Sequence, residues 1–246
     1  IKLGLPGTTD LKNEFDKEDA DFHQIVADMA KISRTQAKTI NLGLFYGMGK
    51  LKLQAELGLD RMGAKKLFDE YHAKVPFVRQ LSQDLIEFAS DNRLLFTLHD
   101  RFCRFDKFES TDKHWNNETN RFDPVPLYTE EKAKQAYQAE VTEKYKDDKI
   151  PADYMKHFDR HYVPAFTYKA LNRLIQGGAA DMTKKAMVDL YEKGILPQIQ
   201  IHDELCLSIK DDKQAMEVKQ TMENAISLEV KNKTNYKQGK NWGSIK

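Results

Sequence analysis

Apolar side chains in the first part of the chain recur every three or four residues, a spacing that predicts amphipathic helices. Ser33 and Gln36 have the Ser-x-x-Gln spacing of a capping box, so a helix is predicted to begin at Arg34 and to stop at Gly47 and Gly49. Further helices are predicted for Leu51 to Leu57, for Ala64 to Lys74, and for an apolar stripe made by Val78, Leu81, Leu85 and Phe88. This part of the chain is therefore predicted to be almost entirely helical.

Two later parts of the chain have the alternating pattern of strands. Leu94 to Leu98 and Arg101 to Phe105 flank a short polar turn, which predicts a hairpin. A second hairpin is predicted within Gln198 to Ile209, where apolar and polar residues alternate on both sides of the polar triplet His202-Asp203-Glu204. Between the two hairpins, Phe166 to Glu192 has the pattern of one long helix. Helices combined with short antiparallel strands indicate an α+β fold.

The stretch from Asp106 to Pro164 differs in composition from the rest of the chain. It is polar and carries several prolines, and its one strong helical pattern, from Glu130 to Lys146, is rich in charge. We interpret this stretch as a charged, solvated insertion on the protein surface.

The overall composition is that of a soluble globular protein. Hydrophobic residues make up 40% of the 246 residues and charged residues 31%. No apolar run approaches the ~18 residues of a membrane span, so neither membrane insertion nor secretion is expected. The chain has 39 Lys and Arg and 38 Asp and Glu, so its formal net charge is only +1. Any contact with DNA therefore has to depend on local clusters of basic residues. The two cysteines, Cys103 and Cys206, form no disulfide framework, which indicates a reducing, cytoplasmic location.

One face of the helix predicted from Ser33 to Gly47 carries two cations followed by an apolar strip. Arg34, Lys38, Leu42 and Tyr46 follow one another at i+4 spacing and therefore share this face. Cations in the first turns oppose the helix dipole, which indicates that an anionic partner offsets them. A nucleoside triphosphate fits, since the cations reach its phosphates and the apolar strip faces its sugar and base. The alternative is an exposed basic face on an ordinary helix.

Two further sets of polar side chains are candidates for chemistry. Asn172 and Gln176 lie one helical turn apart, and side-chain amides can donate to the minor-groove acceptors that every base pair presents. A hairpin turn of His202, Asp203 and Glu204 would hold two carboxylates at one end of a sheet. Carboxylate oxygens are the ligands that Mg²⁺ prefers. Each set is also common in proteins without such chemistry.

Together these stretches resemble the motifs of family A DNA polymerases, the group that includes bacterial DNA polymerase I and many phage replicative enzymes. Arg34-x-x-x-Lys38-x-x-Asn41-x-Gly43-x-x-Tyr46-Gly47 resembles the fingers helix. Asn172-x-x-x-Gln176-Gly177-x-Ala179-Ala180-Asp181 resembles the helix that contacts the primer-template minor groove. His202-Asp203-Glu204 resembles the palm motif, whose Asp is a catalytic metal ligand. Thr97-Leu98-x-x-Arg101 resembles a segment that approaches the template and primer backbone.

The resemblance implies addition of deoxynucleotides to a primer 3′ end by phosphoryl transfer with two Mg²⁺ ions. It implies that Asp203 binds metal and that Glu204 supports the site. Arg34 and Lys38 would hold the triphosphate, and Lys38 would also donate a proton to the leaving pyrophosphate. The residues implied to line the rest of the nucleotide site are Leu42 and Tyr46. Those implied to contact primer-template DNA are Asn172, Gln176, His202 and Arg101.

The resemblance also implies an incomplete right-hand polymerase fold. Residues 1–92 would form the fingers, with the nucleotide-binding helix at 33–47, and residues 93–246 the C-terminal portion of the palm, with the insertion at 106–164. The strand with the first catalytic Asp and the thumb are expected upstream. The chain is therefore expected to be inactive without an N-terminal polymerase polypeptide, or the upstream part of the same chain. One alternative is a fragment of a single-subunit RNA polymerase, a class that usually has serine where Glu204 stands, and another is a non-catalytic DNA-binding accessory module.

Three positions raise questions of their own. Leu42 stands where the family usually has phenylalanine or tyrosine beside the sugar of the incoming nucleotide, and a tyrosine there favours chain terminators that lack the 3′-hydroxyl. The alternative is that Leu42 packs in the core of the fingers. Asp100 stands where the family often has glycine, which leaves the turn geometry open. Gly43 costs about 1 kcal/mol relative to alanine inside a helix, which indicates that another group packs close to the backbone.

Overall fold

The computed structural model describes residues 12–13, 21, 23–24, 27–28, 32–45, 48–74, 76–119, 121–146 and 149–245. The chain divides into two units, one formed by Ile1–Gln80, Thr97–Arg101 and Asn172–Lys246 and the other by Leu81–Phe96 and Phe102–Leu171. Helices predominate in the described ranges and the strands are short and antiparallel, so the α+β prediction is confirmed. Within these ranges, no helix combines the length and the apolar character needed to cross a bilayer.

The helical first part of the chain follows the prediction closely. Its helices are α1 (Arg34–Phe45), α2 (Lys50–Leu57), α3 (Arg61–Lys74) and α4 (Pro76–Asn92). The capping box at the start of α1 is formed, since the backbone N–H of Gln36 donates to Ser33 Oγ at 3.2 Å and that of Ser33 donates to Gln36 Oε1 at 3.0 Å. The predicted stop at Gly47 lies outside the described residues.

One apolar core holds these helices together within the first unit. Ala37 and Ile40 of α1 are fully buried against Leu53 of α2, together with Leu67 and Tyr71 of α3. Burial of a large aliphatic side chain stabilises a fold by roughly 1.5–3 kcal/mol. This core fixes which face of α1 points inward and therefore leaves the opposite face to solvent.

The second unit contains three small antiparallel pairings among its described residues. Strand β1 (Leu94–Phe96) pairs with β2 (Phe102–Arg104), as the first hairpin prediction required. Strand β3 (Phe108–Ser110) pairs with β6 (Tyr162–Pro164), and β4 (Trp115–Asn116) pairs with β5 (Arg121–Phe122). Helix α5 (Glu130–Lys144) and the short helix α6 (Phe158–His161) lie between β5 and β6 in the chain. The start of α5 agrees with the prediction, and its N-cap is Thr129.

The interpretation of residues 106–164 as a solvated appendage is wrong. Phe108, Tyr137, Phe158 and Tyr162 are buried together in a core of their own. The rings of Phe158 and Tyr162 stack with their centroids 5.8 Å apart. These aromatic residues come from two strands and two helices, so no single periodic pattern in the sequence indicated that they pack together. That residues 106–164 form an insertion remains a prediction.

The last part of the chain completes the first unit. Its elements are α7 (Ala170–Glu192), β7 (Ile199–Ile201), β8 (Glu204–Cys206) and α8 (Asp212–Asn224). The antiparallel β7–β8 hairpin agrees with the second hairpin prediction. Leu205 of the hairpin packs against a buried cluster of Leu190, Ile195 and Val218, which anchors the hairpin to α7 and α8.

Candidate active site

The cationic face predicted for α1 is exposed to solvent. Arg34, Lys38 and Leu42 are all exposed, whereas Ala37 and Ile40 on the other side of the helix are buried. The side chain of Lys38 forms no hydrogen bond or ion pair with any described residue. The fourth predicted member of this face, Tyr46, lies outside the described residues. The described part of the face is thus open to an anionic ligand.

Asp21 fixes the guanidinium of Arg34. Its Oδ2 accepts a hydrogen bond from Arg34 Nε at 2.7 Å, and its Oδ1 accepts from the backbone N–H groups of His23 at 3.0 Å and Gln24 at 3.1 Å. The hydrogen bond from Arg34, followed by that from Gln24, holds the pKa of Asp21 below its ordinary value. Sequence reasoning missed Asp21, because no local spacing links it to Arg34.

His23 is a second residue that sequence reasoning missed. Its Nδ1 lies 3.1 Å from Nδ2 of Asn41, a residue of α1 that is 1% exposed. Burial lowers the pKa of His23, and the nearby cations Arg34 and Lys38 lower it further while Asp21 opposes them. His23 is therefore a neutral imidazole at pH 7, held beside the cationic face of α1.

The structure answers the questions raised by Leu42 and Gly43. Leu42 is 43% exposed and takes no part in the buried cluster of the helical core, so the core-packing alternative is wrong. A Cβ at Gly43 would overlap the terminal methyl of Met48 and lie 2.9 Å from its Sδ. The prediction that a group packs close to the backbone at Gly43 is confirmed.

The β7–β8 hairpin carries the predicted carboxylates, but its turn is shorter than predicted. Ile201 pairs with Glu204, so Glu204 begins β8 and only His202 and Asp203 form the turn. His202 has φ 54°, in the left-handed region, and Gln200 Nε2 donates to its backbone oxygen at 3.0 Å. The three-residue turn was wrong because the strand pairing continues one residue closer to the turn.

The donor chemistry of this hairpin fits part of a Mg²⁺ site. Asp203 and Glu204 are exposed, and the side chain of neither forms a hydrogen bond or ion pair with a described residue. Mg²⁺ usually takes one or two carboxylates and keeps several waters or substrate oxygens. Nowhere in the described ranges do three or more His, Cys, Asp or Glu side chains stand together as a possible metal site. Asp203 therefore fits as one ligand of an incomplete set.

The predicted amide pair lies on α7 as expected from its spacing. Asn172 is half-buried and Gln176 is exposed. The parts of the predicted site therefore lie on three elements, the cations on α1, the carboxylates at the β7–β8 turn and the amides on α7.

The turn between β1 and β2 contains a residue in the left-handed backbone conformation, which glycine adopts most easily. Asp100 has φ 56°, and its backbone N–H donates to the oxygen of Thr97 at 3.2 Å. Thr97 N–H donates to the oxygen of Arg101 at 2.8 Å. Aspartate tolerates this conformation better than most residues, which accounts for Asp100 where the family often has glycine.

Asp181 of α7 binds this turn and is the third residue whose contacts sequence reasoning missed. Thr97 Oγ1 donates to Asp181 Oδ2 at 2.5 Å, and Arg101 Nη2 donates to Asp181 Oδ1. The Asp181 side chain is only 9% exposed. Burial alone would raise its pKa, but the hydrogen bonds from Thr97 and Arg101 outweigh burial and lower the pKa. Asp181 is thus a buried anion with two partners.

Comparison with known families agrees with the resemblance seen in the sequence. The family model for DNA polymerase family A matches residues 5–122 and 119–244. The chain belongs to DNA polymerase family A. This result favours family A over the RNA polymerase alternative.

Individual relatives cover nearly the whole chain. A DNA-directed DNA polymerase of Pseudomonas phage M6 is 30% identical over 257 residues, which span 91% of this chain and 31% of the relative. DNA polymerase I of Geobacillus stearothermophilus is 27% identical, over 92% of this chain and 21% of the relative. The chain thus spans about a third or less of the length of these relatives.

A solved structure shows the same fold. It is the POL domain of Pol1 from M. smegmatis in complex with DNA primer-template and dNTP. The match has a TM-score of 0.58 at 22% identity and covers 90% of this chain and 34% of the other. The polymerase fold expected from the sequence is therefore confirmed.

Proposed function

We propose that this chain forms the fingers and the C-terminal palm portion of a DNA polymerase that adds deoxynucleotides to a primer 3′ end. Membership in DNA polymerase family A supports the reaction class. The observation that carries the proposal is the two-residue β7–β8 turn, which presents the Asp203 side chain to solvent without a partner among the described residues. A carboxylate held this way is available to a metal ion and a substrate.

The α1 face binds the triphosphate of the incoming nucleotide in this proposal. Asp21 accepts a hydrogen bond from Nε of Arg34, so the terminal nitrogens of Arg34 can donate to phosphate oxygens. The exposed Lys38 adds a second cation one turn further along the helix. Lys38 also donates a proton to the leaving pyrophosphate. Leu42 and Tyr46 lie beside the sugar and the templating base.

The carboxylates of the β7–β8 hairpin contribute to metal binding in this proposal. Asp203 is a ligand of Mg²⁺, and Glu204, the first residue of β8, supports the site or the primer terminus. Two bound Mg²⁺ ions would activate the primer 3′-hydroxyl and offset charge on the triphosphate and pyrophosphate. The remaining ligands, including a first catalytic Asp, come from an upstream part of the polymerase, on the same chain or on a separate polypeptide.

Primer-template DNA lies against α7 and the two hairpin turns. Asn172 and Gln176 donate to minor-groove acceptors, and His202 contacts the primer end. Arg101 is 39% exposed, so its guanidinium can meet a phosphate while Asp181 holds one of its nitrogens. The reaction takes place in the cytoplasm, where the unbridged Cys103 and Cys206 stay reduced.

The test is primer extension by this chain together with an upstream polypeptide that carries the thumb and the first palm Asp. We expect Mg²⁺-dependent synthesis only when both parts are present. Asp203→Asn should abolish synthesis and leave primer-template binding intact, whereas the matched control Asp212→Asn, an exposed carboxylate on α8, should leave both unchanged. DNA binding without synthesis in the complete mixture would support the accessory-module alternative. Synthesis by this chain alone would contradict the requirement for an upstream part.

A further inference from the structure

The turn at 97–101 is attached to α7, the helix that also carries the amide pair. We propose that Thr97 and Asp181 are positioning residues, which clamp this turn onto α7 so that Asn172 and Gln176 meet the primer-template in a fixed register. This inference rests on the proposed function and assigns a role to two residues that do not themselves touch DNA.

The first part of the clamp is steric. A Cβ built on Gly177 would lie 2.9 Å from Cγ2 of Thr97, closer than real Cβ atoms approach a neighbour. At Gly178, the next residue of the same helix, no side chain of the described residues comes within 4 Å of the corresponding position. Close packing is therefore specific to Gly177, where the methyl of Thr97 rests on the helix backbone.

The second part of the clamp is polar. Asp181 lies one helical turn after Gly177, so both residues are on the same strip of α7. Its two oxygens accept from the hydroxyl of Thr97 and from the guanidinium of Arg101. A buried carboxylate requires such partners, because an unpaired buried charge is strongly destabilising. Thr97 thus contributes to both parts, its methyl on Gly177 and its hydroxyl on Asp181.

The amides and the clamp contacts belong to the same helix. At about 100° per residue, Gly177 lies about 100° around α7 from Gln176 and about 140° from Asn172. Because both sets are on one rigid helix, the clamp keeps the turn in a fixed position relative to the amides. At its tip Leu98 is 74% exposed, so the turn also offers surface outside the clamp.

The clamp predicts a specific kinetic effect. If the turn is loosened, it no longer keeps a fixed position relative to the amides, and the primer-template binds in several registers. The KM for primer-template then rises, while the KM for deoxynucleotide stays unchanged because α1 is untouched. A role in overall stability alone would lower the active fraction and would not separate the two KM values.

The steric part is tested with four variants in the complete polymerase. Gly177→Ala should raise the primer-template KM about tenfold, the effect of about 1.4 kcal/mol. Gly178→Ala, its matched control, should leave the KM unchanged. Thr97→Ser removes the methyl and keeps the hydroxyl, so the double variant Thr97→Ser/Gly177→Ala should recover most of the loss. An unchanged KM in Gly177→Ala, or no recovery in the double variant, would overturn the steric clamp.

The polar part is tested with Asp181→Asn and Thr97→Val. Both should raise the primer-template KM about tenfold, as expected for loss of a hydrogen bond to a charged group. The control is Asp189→Asn, a carboxylate of the same helix that pairs with Lys185 on the surface. Equal effects of Asp181→Asn and Asp189→Asn would overturn the role of Asp181.

Binding measurements separate this inference from the proposed function. Fluorescence anisotropy of labelled primer-template gives an affinity for each variant, at matched folded fraction, whether or not synthesis occurs. A wild type that binds DNA without extending the primer would refute the proposed synthesis and still show whether the clamp variants weaken binding. A wild type that does not bind primer-template at all would refute both.

Discussion

Arg34 donates through Nε to Oδ2 of Asp21 at 2.7 Å, a contact that joins the start of α1 to the preceding segment. A guanidinium is planar and rigid, so holding Nε fixes the direction of the terminal nitrogens. Asp21 therefore orients the donors that we assign to the triphosphate.

Asp21→Asn should raise the KM for deoxynucleotide several-fold in the complete polymerase, because the guanidinium of Arg34 loses its orientation. Stability should change little, since both side chains of the pair are exposed to solvent, Arg34 at 55% and Asp21 at 37%. Steady-state incorporation kinetics measure the effect. The matched control is Asp28→Asn, whose carboxylate binds Gln24. An equal KM in both variants would show that Asp21 does not orient Arg34 for the nucleotide.

Lys38→Ala should impair nucleotide use far more than DNA binding. Loss of a hydrogen bond to a charged group lowers incorporation efficiency by about 10- to 100-fold. Arg34→Ala should act in the same direction. Incorporation kinetics and primer-template affinity are measured side by side, with Lys52→Ala on the exposed surface of α2 as the control. Equal losses of nucleotide use and DNA affinity would indicate that this face binds the DNA backbone.

Two tyrosines with the same burial should respond in opposite directions to removal of the hydroxyl. Tyr71 and Tyr137 are each 4% exposed, but Tyr137 donates to the backbone oxygen of Tyr154 at 3.2 Å, whereas the Tyr71 hydroxyl has no partner in the described part of the chain. Tyr71→Phe should raise the free energy of unfolding by about 1 kcal/mol and Tyr137→Phe should lower it by about as much. Urea unfolding followed by circular dichroism measures both. A loss of stability in Tyr71→Phe would contradict the prediction.

Local patterns in the sequence were enough to predict most elements of the fold. The capping box of Ser33 and Gln36 fixed the start of α1 because its hydrogen bonds form within one turn. Both hairpins followed from alternation of apolar residues. The β7–β8 turn was predicted one residue too long, because the pairing of Ile201 with Glu204 depends on register and not on polarity.

Contacts between distant residues could not be predicted in this way. Thr97 and Asp181 are 84 positions apart, and Asp21 and Arg34 are 13 apart. Neither spacing has a helical or strand period, so only tertiary packing brings these groups together. The motif that contains Asp181 indicated a DNA-contacting helix, but the structure was needed to show that this carboxylate faces inward to a turn.

The stability that Asp181 contributes should depend on pH. Its pKa is lowered in the folded protein, so its contribution is fully present above the unfolded value of about 3.9 and is lost as the pH falls through the lower folded value. The free energy of unfolding of wild type should therefore exceed that of Asp181→Asn by about 1–3 kcal/mol at pH 7. This difference should shrink below about pH 4. Urea unfolding at a series of pH values measures this difference. Other carboxylates titrate equally in both proteins and cancel. A difference that stays constant between pH 7 and pH 3 would assign the effect to packing.

Leu42 should set how the complete polymerase discriminates between deoxy- and dideoxynucleotides. Its side chain is 43% exposed on the same face as Arg34 and Lys38, so it is available to the sugar that we place there. Leucine has no hydroxyl to replace the missing 3′-hydroxyl of a chain terminator. Wild type should therefore reject dideoxynucleotides, and Leu42→Tyr should relax this rejection.

Competition between dideoxy- and deoxynucleotides measures the ratio for each protein at matched folded fraction. Because Leu42 lies outside the buried core of the helical region, Leu42→Tyr should fold as well as wild type, and a change in the ratio then reports on the nucleotide site. The control is Leu51→Tyr, which places the same side chain on α2 at a position that is 73% exposed. If Leu42→Tyr and Leu51→Tyr both leave the ratio at its wild-type value, Leu42 does not contact the sugar, and the orientation proposed for the nucleotide along α1 is wrong.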